Sequence, residues 1–546
     1  MESKTRLGRL IGGLGVAMMM ALLLSGSAGA WEGTPTSQAQ SSSAIPQQAA
    51  VGSAGNSLTL EQPPLCRYGV TAFDGMTQLK WLPTWRANWT LDFKAHAPLP
   101  GVAAEYAQML RIQQNKSGCT YLDGYSTVPA LTEAGIGAVI RAAPDSLWII
   151  GNEPDRGPDP GNCLGPGQDD TYPEVYARAY HDAYTYIKQR DPKARVAIAG
   201  LVQVTPGRLQ YLDKVWAEYA RLYRAPMPVD VWNMHLYILP EAQTNGQPNG
   251  IANIALGSDP GSAIRESGGD PNRCSDPLVY CFAEHDDMTI FAQQIVAMRT
   301  WLKNHDQQNK PLILSEYSLL YPYERDPDSC FLQDEYKNCF TPERVSTFMA
   351  NTFNYLESAA DPALGYPLDG NRLVQRWMWF SAYASGAGNV SSLLVSTHVR
   401  LTLAGENFRD QVAARPATIN LFLGQVGATA GHAGVPGGTA TVNLYAQVFN
   451  NGSVATGTPF PVTFYADQAL TQVIGSTVVS EAVDGCVVRP LVAQVTWADL
   501  PVGNHPFWVK VDSADSIGET NEGDNIGTGT ATVSIFGRFL PLISRQ

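Results

Sequence analysis

The fold is decided by the stretch Leu147-Trp148-Ile149-Ile150-Gly151-Asn152-Glu153-Pro154-Asp155-Arg156. Its first four residues are all apolar, which predicts a short strand buried on both faces. Pro154 cannot continue a central strand, so the strand has to end before it. Glu153 therefore follows the C-terminal end of a buried strand, where α/β sheets and barrels carry their chemistry. The alternative interpretation is a surface turn in which Glu153 is solvated.

Similar apolar segments recur on both sides of this stretch and alternate with helical patterns. Strands are predicted at 66–73, 89–93, 105–112, 147–150, 196–201, 229–237, 311–316 and 374–380. Helices are predicted at 128–142, 173–190, 207–222, 286–304 and 342–358. Eight strands with crossover helices favour an α/β fold, a (β/α)8 TIM barrel over residues 61–410. An open doubly wound sheet is the alternative, but no glycine-rich nucleotide fingerprint follows the first strand.

The pattern changes after about residue 415. Short segments with alternating apolar residues lie at 439–449, 461–466, 493–497 and 505–511. This spacing predicts a smaller all-β, immunoglobulin-like sandwich over residues 415–536. Residues 537–546 form a short apolar tail with no assigned role.

The N-terminus has the features of a secretory signal: a basic start, an apolar run over 10–24 and an Ala-Gly-Ala sequence at 28–30. We therefore expect residues 1–30 to be a signal peptide, and residues 31–60, rich in Ser, Gln and Ala, to be a flexible linker. The expected location is secreted or cell surface, with no membrane association after cleavage. The formal net charge of −13 argues against nucleic acid as a partner.

Export makes the eight cysteines candidates for disulfides. Cys274 and Cys281 lie close together in one polar loop, and Cys330 and Cys339 in another, so these two pairs are predicted. The pairing of the remaining four is left open: Cys66, Cys119, Cys163 and Cys486. No cysteine or histidine spacing resembles a zinc site, and no metal site is predicted.

A second carboxylate repeats the arrangement at Glu153. Glu316 closes the apolar run at 311–314 and is followed by a loop. On the eight-stranded interpretation, the two glutamates end strands four and seven and face each other across one end of the barrel. Two facing carboxyl groups are the equipment for glycoside hydrolysis, in which one donates a proton and the other is ionised.

The motifs that hold these glutamates resemble a known group of enzymes. "GNEPD" at 151–155 and "LSEY" at 314–317 are similar to the catalytic barrels of glycoside hydrolase clan A. More narrowly, "ANW", "EYAQML", "GNEPD" and "MHLY" in this order resemble the Asl1-like glycosyl hydrolase catalytic domains. The resemblance covers residues 65–405. Some members of that group cleave β-1,3-glucans.

The resemblance implies a role for several residues. Glu153 would be the general acid/base, Glu316 the nucleophile, and Asn152 a hydrogen-bond partner of the sugar 2-hydroxyl. No metal or organic cofactor would be needed.

Other substrate-binding candidates come from the predicted strand ends. His235 and Tyr237, two residues apart, would point the same way at the end of strand six. Trp379, Trp89 and Tyr317 are further candidates for contact with the sugar. The alternatives are a satisfied core histidine and tryptophans buried in the core.

Two loops and one acidic segment remain open. The loops at 238–285 and 317–340 would overhang the active face, and the aromatic side chains of the second would either stack on sugars or pack the loops together. Four aspartates follow Glu153: Asp155, Asp159, Asp169 and Asp170. Their spacing matches no EF-hand, so a solvated acidic loop is favoured over a calcium site.

The C-terminal region resembles the bacterial cell-adhesion-related domain abbreviated CARDB. The similarity is carried by "VNLYAQVFNNGSVATG", "FPVTFYAD", "PVGNHPFWVKVD" and "GETNEGDN". It implies an accessory module that attaches to a surface or to a cell-surface glycan.

The sequence therefore predicts a secreted retaining glycosidase that acts on a β-linked polysaccharide by double displacement, with β-1,3-glucan as one candidate substrate. The first alternative is a non-catalytic glycan-binding adhesion or cell-wall protein that uses the barrel as a scaffold. The second is a transglycosylase with the same residues.

Overall fold

A computed structural model describes residues 62–159, 162–163, 168–248, 250–321, 330 and 332–535. The predicted signal peptide, linker and C-terminal tail all lie outside the described residues. Within these residues, no helix is both long enough and apolar enough to cross a bilayer.

Twelve strands lie in the first part of the described chain. They are β1 Leu65–Thr71, β2 Ala87–Leu91, β3 Glu105–Tyr106, β4 Gln108–Ser117, β5 Thr120–Val128, β6 Leu147–Ile150, β7 Arg195–Ile198, β8 Trp232–Leu236, β9 Arg265–Glu266, β10 Val279–Tyr280, β11 Leu312–Tyr317 and β12 Arg376–Trp379. The α-helices are α1 Gly75–Leu79, α2 Ile136–Ala142, α3 Pro173–Arg190, α4 Pro206–Tyr223, α5 Met288–Asn304, α6 Pro342–Ser358 and α7 Leu403–Ala413. Short 3-10 helices occupy Pro83–Trp85, Pro260–Ser262, Pro271–Arg273, Phe282–Glu284, Pro367–Asp369 and Gly386–Ser391.

Parallel pairing follows the chain order around the central strands. β1 pairs with β2, β2 with β3, β4 with β6, and β6 with β7. A bridge from Ala197 to Val231 leads to β8, which pairs with β11; β11 then pairs with β12, and β12 with β1. β3 and β4 are separated only by residue 107, and they belong to two different sheets. The predicted α/β architecture is confirmed.

Local sequence explains why the central elements form where they do. The strands β1, β6, β8, β11 and β12 are buried along their whole length, as is typical of parallel strands covered on both faces. Helices α3, α4 and α6 each begin with a proline, a residue suited to the first helical position. Asp287 caps the N-terminus of helix α5, where its carboxylate accepts hydrogen bonds from the amides of Thr289 and Ile290.

Three features of this region differ from the sequence-based expectation. Strand β5 forms an antiparallel hairpin with β4, and the predicted helix at 128–142 begins only at Ile136. Helix α7 was not predicted. Strand β5 alternates half-buried and exposed residues, so its pairing with β4 supplies the stability that its own apolar content does not.

The second part of the described chain contains eight strands. They are β13 Leu421–Ala428, β14 Gly431–Ala433, β15 Thr439–Asn450, β16 Phe460–Tyr465, β17 Val473–Val479, β18 Leu491–Pro501, β19 Gly503–Lys510 and β20 Ile526–Ile535. They form one sheet in the order β13-β15-β18 and another in the order β14-β20-β19-β16-β17. Apolar residues from both sheets share one core that includes Leu444, Val448, Phe464 and Phe507.

A disulfide joins the two parts of the molecule, between Cys66 at the start of β1 and Cys486. Backbone hydrogen bonds of 2.9 Å run beside it, from Cys66 to Ser453 and from Cys486 to Gly452. Glu153 and Glu316 lie at the opposite, C-terminal ends of their strands. The all-β part is therefore anchored at the end of the parallel strands that faces away from both glutamates.

The other disulfides lie in loops. Cys274 pairs with Cys281 and Cys330 with Cys339, the two pairs predicted from the sequence. Cys119 pairs with Cys163 and connects the β4–β5 hairpin to the loop after β6. All eight cysteines are thus paired.

Candidate active site

Glu153 is held in a sharp turn directly after β6. Its φ is +44° and that of Gly151 is +95°, values that turn the chain away from the strand direction. The Glu153 amide donates to the Gly200 carbonyl at 3.0 Å, and the Asn152 amide donates to Asp169 at 2.8 Å. The turn is therefore fastened to the end of β7 and to the following loop.

His235 connects the two glutamates. Its Nδ1 lies 2.9 Å from Glu153 Oε1 and 3.7 Å from Glu316 Oε2. The Tyr237 hydroxyl donates to Glu316 Oε1 at 2.8 Å. These contacts place β6, β8 and β11 around one pair of carboxyl groups, which is the juxtaposition that the strand-end pattern predicts.

The pair is shielded from water. Glu153 is 0% exposed and Glu316 is 4% exposed. Burial, together with the negative charge of Glu153, raises the pKa of Glu316 to about 7, against the opposing effect of His235. Although burial lowers it, the pKa of His235 is raised overall by Glu316 and Glu153. This cluster therefore retains protons at neutral pH and suits proton transfer.

Metal sites can show a similar spacing of side chains. Glu153, Glu316 and His235 each offer one atom, a carboxylate oxygen or a ring nitrogen, and these three atoms lie within 4.8 Å of one another. The histidine–carboxylate hydrogen bond accounts for this geometry without an ion.

Asn152 lies beside the carboxyl pair. It is 3% exposed, and its Nδ2 donates to Gln168 at 3.0 Å. Its Oδ1 is buried without a hydrogen-bond partner among the described residues. A buried acceptor of this kind is available to a ligand hydroxyl.

Three aromatic candidates are packed against other protein groups. Trp379 donates to the Ser391 carbonyl at 2.8 Å, and its ring packs edge-on against Tyr317. Trp89 lies under the Arg376 guanidinium, with 4.5 Å from that group to the ring centroid. All three side chains are fully buried, so their present environment is that of core residues.

The expected solvated acidic loop is wrong for three of its four aspartates. Asp155 and Asp169 are 0% exposed and Asp170 is 7% exposed. Protein cations neutralise them: Arg208 pairs with Asp155, Arg111 with Asp169 and Lys116 with Asp170. Asp159 alone of the four is substantially exposed, at 35%. These cations lie on other elements, which a reading of the loop by itself does not reveal.

Sequence reasoning also missed Arg111 and Gly200. The charge of Arg111 lowers the pKa of Glu316, and a charged residue inside a predicted buried strand was the available signal. Gly200 leaves room for the His235 ring, since a Cβ there would lie 2.2 Å from His235 Cδ2. No sequence pattern marks this contact.

The two long loops pack against each other. Glu335 accepts the amides of Phe282 and Ala283 at 3.0 Å each. Of the loop aromatics, Tyr321 and Phe340 pack around buried His285, whereas Tyr336 is exposed. Tyr323 and Phe331 lie outside the described residues.

The sequence matches no protein-family profile and no curated protein. Among solved structures, a GH128 (subgroup I) endo-β-1,3-glucanase from Amycolatopsis mediterranei in complex with laminarihexaose is 14% identical; the alignment covers 63% of this chain and 98% of that one, with a TM-score of 0.37. A GH128 (subgroup III) curdlan-specific exo-β-1,3-glucanase from Blastomyces gilchristii in complex with glucose is 13% identical, with coverages of 63% and 97% and a TM-score of 0.35. A CARDB domain from Pyrococcus furiosus in complex with di-metal ions is 18% identical, with coverages of 22% and 98% and a TM-score of 0.18. With TM-scores below 0.5, these similarities do not show what this chain binds or catalyses.

Proposed function

We propose that the protein is a retaining glycosidase with a (β/α)8 barrel of the clan A type, which cleaves a β-linked polysaccharide by double displacement. The observation that carries this proposal is the buried pair Glu153 and Glu316, bridged by His235 at 2.9 and 3.7 Å. Paired carboxyl groups with a shared hydrogen-bond network are the minimal equipment for acid-assisted glycoside cleavage.

The spacing of the pair favours retention of configuration. A carboxylate oxygen of Glu153 lies within 4.8 Å of one of Glu316. Retaining enzymes hold the two carboxyl groups about 5–5.5 Å apart, and inverting enzymes leave a wider gap for water. A narrow gap favours direct attack by a carboxylate on the anomeric carbon.

In the first step, Glu316 attacks the anomeric carbon while Glu153 gives its proton to the leaving oxygen. In the second step, Glu153 takes a proton from water while the water oxygen attacks the anomeric carbon. The bond from that carbon to Glu316 breaks, which releases the sugar and restores the Glu316 carboxylate. The Tyr237 hydroxyl, 2.8 Å from Glu316 Oε1, stabilises the anionic nucleophile. The free Oδ1 of Asn152 is suited to the sugar 2-hydroxyl. Since Glu153 is sealed from solvent, groups that cover it have to move when substrate enters.

The substrate and location are proposed on separate grounds. The sequence motifs favour a β-1,3-glucan among β-linked polysaccharides. Four disulfides suit an oxidising, extracellular compartment and accord with the predicted signal peptide. We assign the all-β part to an immunoglobulin-like, CARDB-type module that attaches to a cell-surface glycan.

The test is release of reducing sugar from a panel of polysaccharides, β-1,3-glucan included, by the wild type and by Glu316→Ala. We expect release by the wild type and a loss of at least 1,000-fold in the variant. Proton NMR shows which anomer of the product forms first, and so whether the configuration at the anomeric carbon is retained or inverted. No release from any glycan, with equal binding by both proteins, would favour the alternative of a non-catalytic binding protein. Release with inverted configuration would refute the double displacement.

A further inference from the structure

A buried chain of charges runs from the acid/base turn into the loop after β8. Arg208, in the first turn of α4, has its Nε 2.8 Å from Asp155 and its Nη1 2.5 Å from Glu241. Arg208 and Asp155 are 0% exposed and Glu241 is 1% exposed. Asp155 follows Glu153 by two residues, so this ion triad begins in the same loop as the proposed acid/base.

The Arg208 side chain also bonds backbone carbonyls of the loop after β8. Its Nη2 donates to the Ala252 carbonyl at 2.8 Å and to the Asn253 carbonyl at 3.2 Å. The Asp155 carbonyl accepts the Leu256 amide at 2.9 Å. The planar guanidinium with five donors thus connects the turn at Glu153 to the segment 241–256, a fork that a single ammonium cannot reproduce.

Glu241 is itself fully satisfied at the other end of the triad. It accepts from Thr205 at 2.5 Å, from Gln203 at 3.1 Å and from the Ile264 amide at 2.9 Å. Asp155 has fewer partners than Glu241: the charge of Arg208 at 2.8 Å is the main one, and the backbone amides of Asp155 and Val202 also act on its carboxylate. A buried carboxylate that depends mainly on one cation adds little to stability, which favours a functional reason for it.

We propose that Asp155, Arg208 and Glu241 form a positioning device for Glu153: the triad fixes the acid/base turn against the loop after β8 and supplies a negative charge beside the carboxyl pair. This inference rests on the proposed glycosidase function. Asp155 and Arg208 act through Glu153 and do not contact the substrate.

The charge of Asp155 reaches the reacting groups. Burial raises the pKa of Asp155 to about 6, Arg208 opposes that rise, and Glu153 adds to it. Asp155 in turn helps to raise the pKa of His235. The titratable and charged groups that face Asp155 and Glu153 are Glu316, His235, Arg208, Glu241, Tyr176 and Tyr211. Above pH 6 an ionised Asp155 therefore favours retention of protons in the cluster.

The test compares Asp155→Asn with Asp159→Asn in the full chain. Asp159 lies in the same loop, is 35% exposed and pairs with Arg156 at 3.2 Å, so it is the matched control. We expect Asp155→Asn to move the basic limb of kcat down by about one pH unit, since a like charge is removed near the acid. Asp159→Asn should leave that limb in place.

Arg208→Lys tests the fork and remains informative if Asp155→Asn does not fold. It keeps the positive charge but cannot contact both carboxylates and both carbonyls. We expect kcat to fall about 10- to 100-fold, the size of a misplacement of about 1 Å at a reacting group. Circular dichroism and thermal unfolding report whether each variant is folded. The proposal would be overturned if Asp155→Asn and Arg208→Lys both fold and both show the same kcat and the same basic limb as Asp159→Asn.

A second readout does not depend on activity. The ring signal of His235 is followed by NMR during a pH titration of histidine-labelled protein. This signal is assigned by its absence from the spectrum of His235→Gln. Asp155→Asn should lower the pKa of His235, whereas Asp159→Asn should not. If the wild type releases no sugar, the glycosidase proposal fails, and this titration still decides whether Asp155 acts on the cluster.

Discussion

At the scale of single residues, Tyr237 has the clearest chemical role beside the two glutamates. It is buried, and its hydroxyl is 2.8 Å from Glu316. A hydrogen bond donated to a carboxylate stabilises the charged form, and this bond lowers the pKa of Glu316. The proposed nucleophile has to be ionised, so Tyr237 works against the burial that raises that pKa.

Tyr237→Phe should therefore impair the enzyme most at low pH. Without the donor, the pKa of Glu316 rises above about 7, and the acidic limb of kcat/KM moves up by about one pH unit. We also expect kcat at the optimum to fall about tenfold. The measurement is a pH–rate profile of glycan hydrolysis.

Tyr219→Phe is the matched control, because its hydroxyl bonds His181 at 2.8 Å, between helices α3 and α4. It should leave both limbs of the profile unchanged. An acidic limb in Tyr237→Phe that coincides with that of the wild type would show that Tyr237 does not act on the nucleophile.

The roles of Glu153, Glu316, His235 and Tyr237 stay predictions, but the structure brings the four side chains together. Each lies at or close to the C-terminal end of a predicted strand, which is why the sequence pattern could place them in one cluster. Contact of Trp89, Tyr317 and Trp379 with a sugar also stays a prediction. All three side chains are fully buried, and a side chain on a strand faces either the interior or the helices. Sequence alternation does not distinguish these faces when both are apolar.

At the scale of elements, the chain at the end of β7 packs closely against His235 on β8 and so restricts where the His235 ring can lie. Gly200 lies just after β7 and has no side chain. Its carbonyl accepts a hydrogen bond from the Glu153 amide at 3.0 Å. A Cβ at this position would lie 2.2 Å from the His235 ring. The close approach of two strand ends therefore fixes the bridge between the carboxyl groups.

Gly200→Ala should displace the His235 ring and lower kcat by about 100-fold, since misplacement of about 1 Å at a reacting group has an effect of this size. The fold should persist, because the clash is confined to one side chain. Steady-state kinetics and thermal unfolding measure the two effects. The control is Gly434→Ala, where a Cβ meets nothing within 4 Å. Equal kcat in the two variants would contradict the steric argument.

Helices and strands could be predicted where the apolar pattern is long or where a residue such as proline indicates the first turn of a helix. Helices α3 and α6 match their predicted bounds because a proline opens each and a clear apolar face follows. Strand β5 and helix α7 were not predicted. Their residues are stabilised by pairing and packing with segments distant in sequence, and local pattern does not report such contacts.

At the scale of the whole molecule, the disulfide Cys66–Cys486 joins residues 420 positions apart. An ion pair between Asp145 and Arg489, at 3.5 Å, lies across the same interface. The two parts of the molecule are therefore connected at the end of the parallel strands opposite the carboxyl pair.

Removal of this disulfide by Cys66→Ser with Cys486→Ser should reduce stability and separate the unfolding of the two parts. Loss of a disulfide that closes a long loop typically costs about 2–5 kcal/mol. We expect one calorimetric transition in the wild type and two in the double variant. Glycan hydrolysis at 25 °C should change less than twofold, because the site lies at the other end.

The control is Cys274→Ser with Cys281→Ser, which opens a loop with a sequence separation of 7. It should lower the melting temperature less and keep a single transition. Two transitions in the wild type, or loss of activity in a folded Cys66→Ser and Cys486→Ser variant, would show that the anchoring model is incorrect.

The amino-acid sequence by itself determined the central parallel strands, the long helices between them and the two carboxylates close to strand ends. These depend on local periodicity, on proline and on short motifs, all of which act over a few residues. Only the tertiary structure decided the partner of Cys66, the burial of Asp155 against Arg208 and Glu241, and the need for glycine at position 200. Each of these is a contact between segments distant in the chain, and its geometry depends on how the strands are packed together.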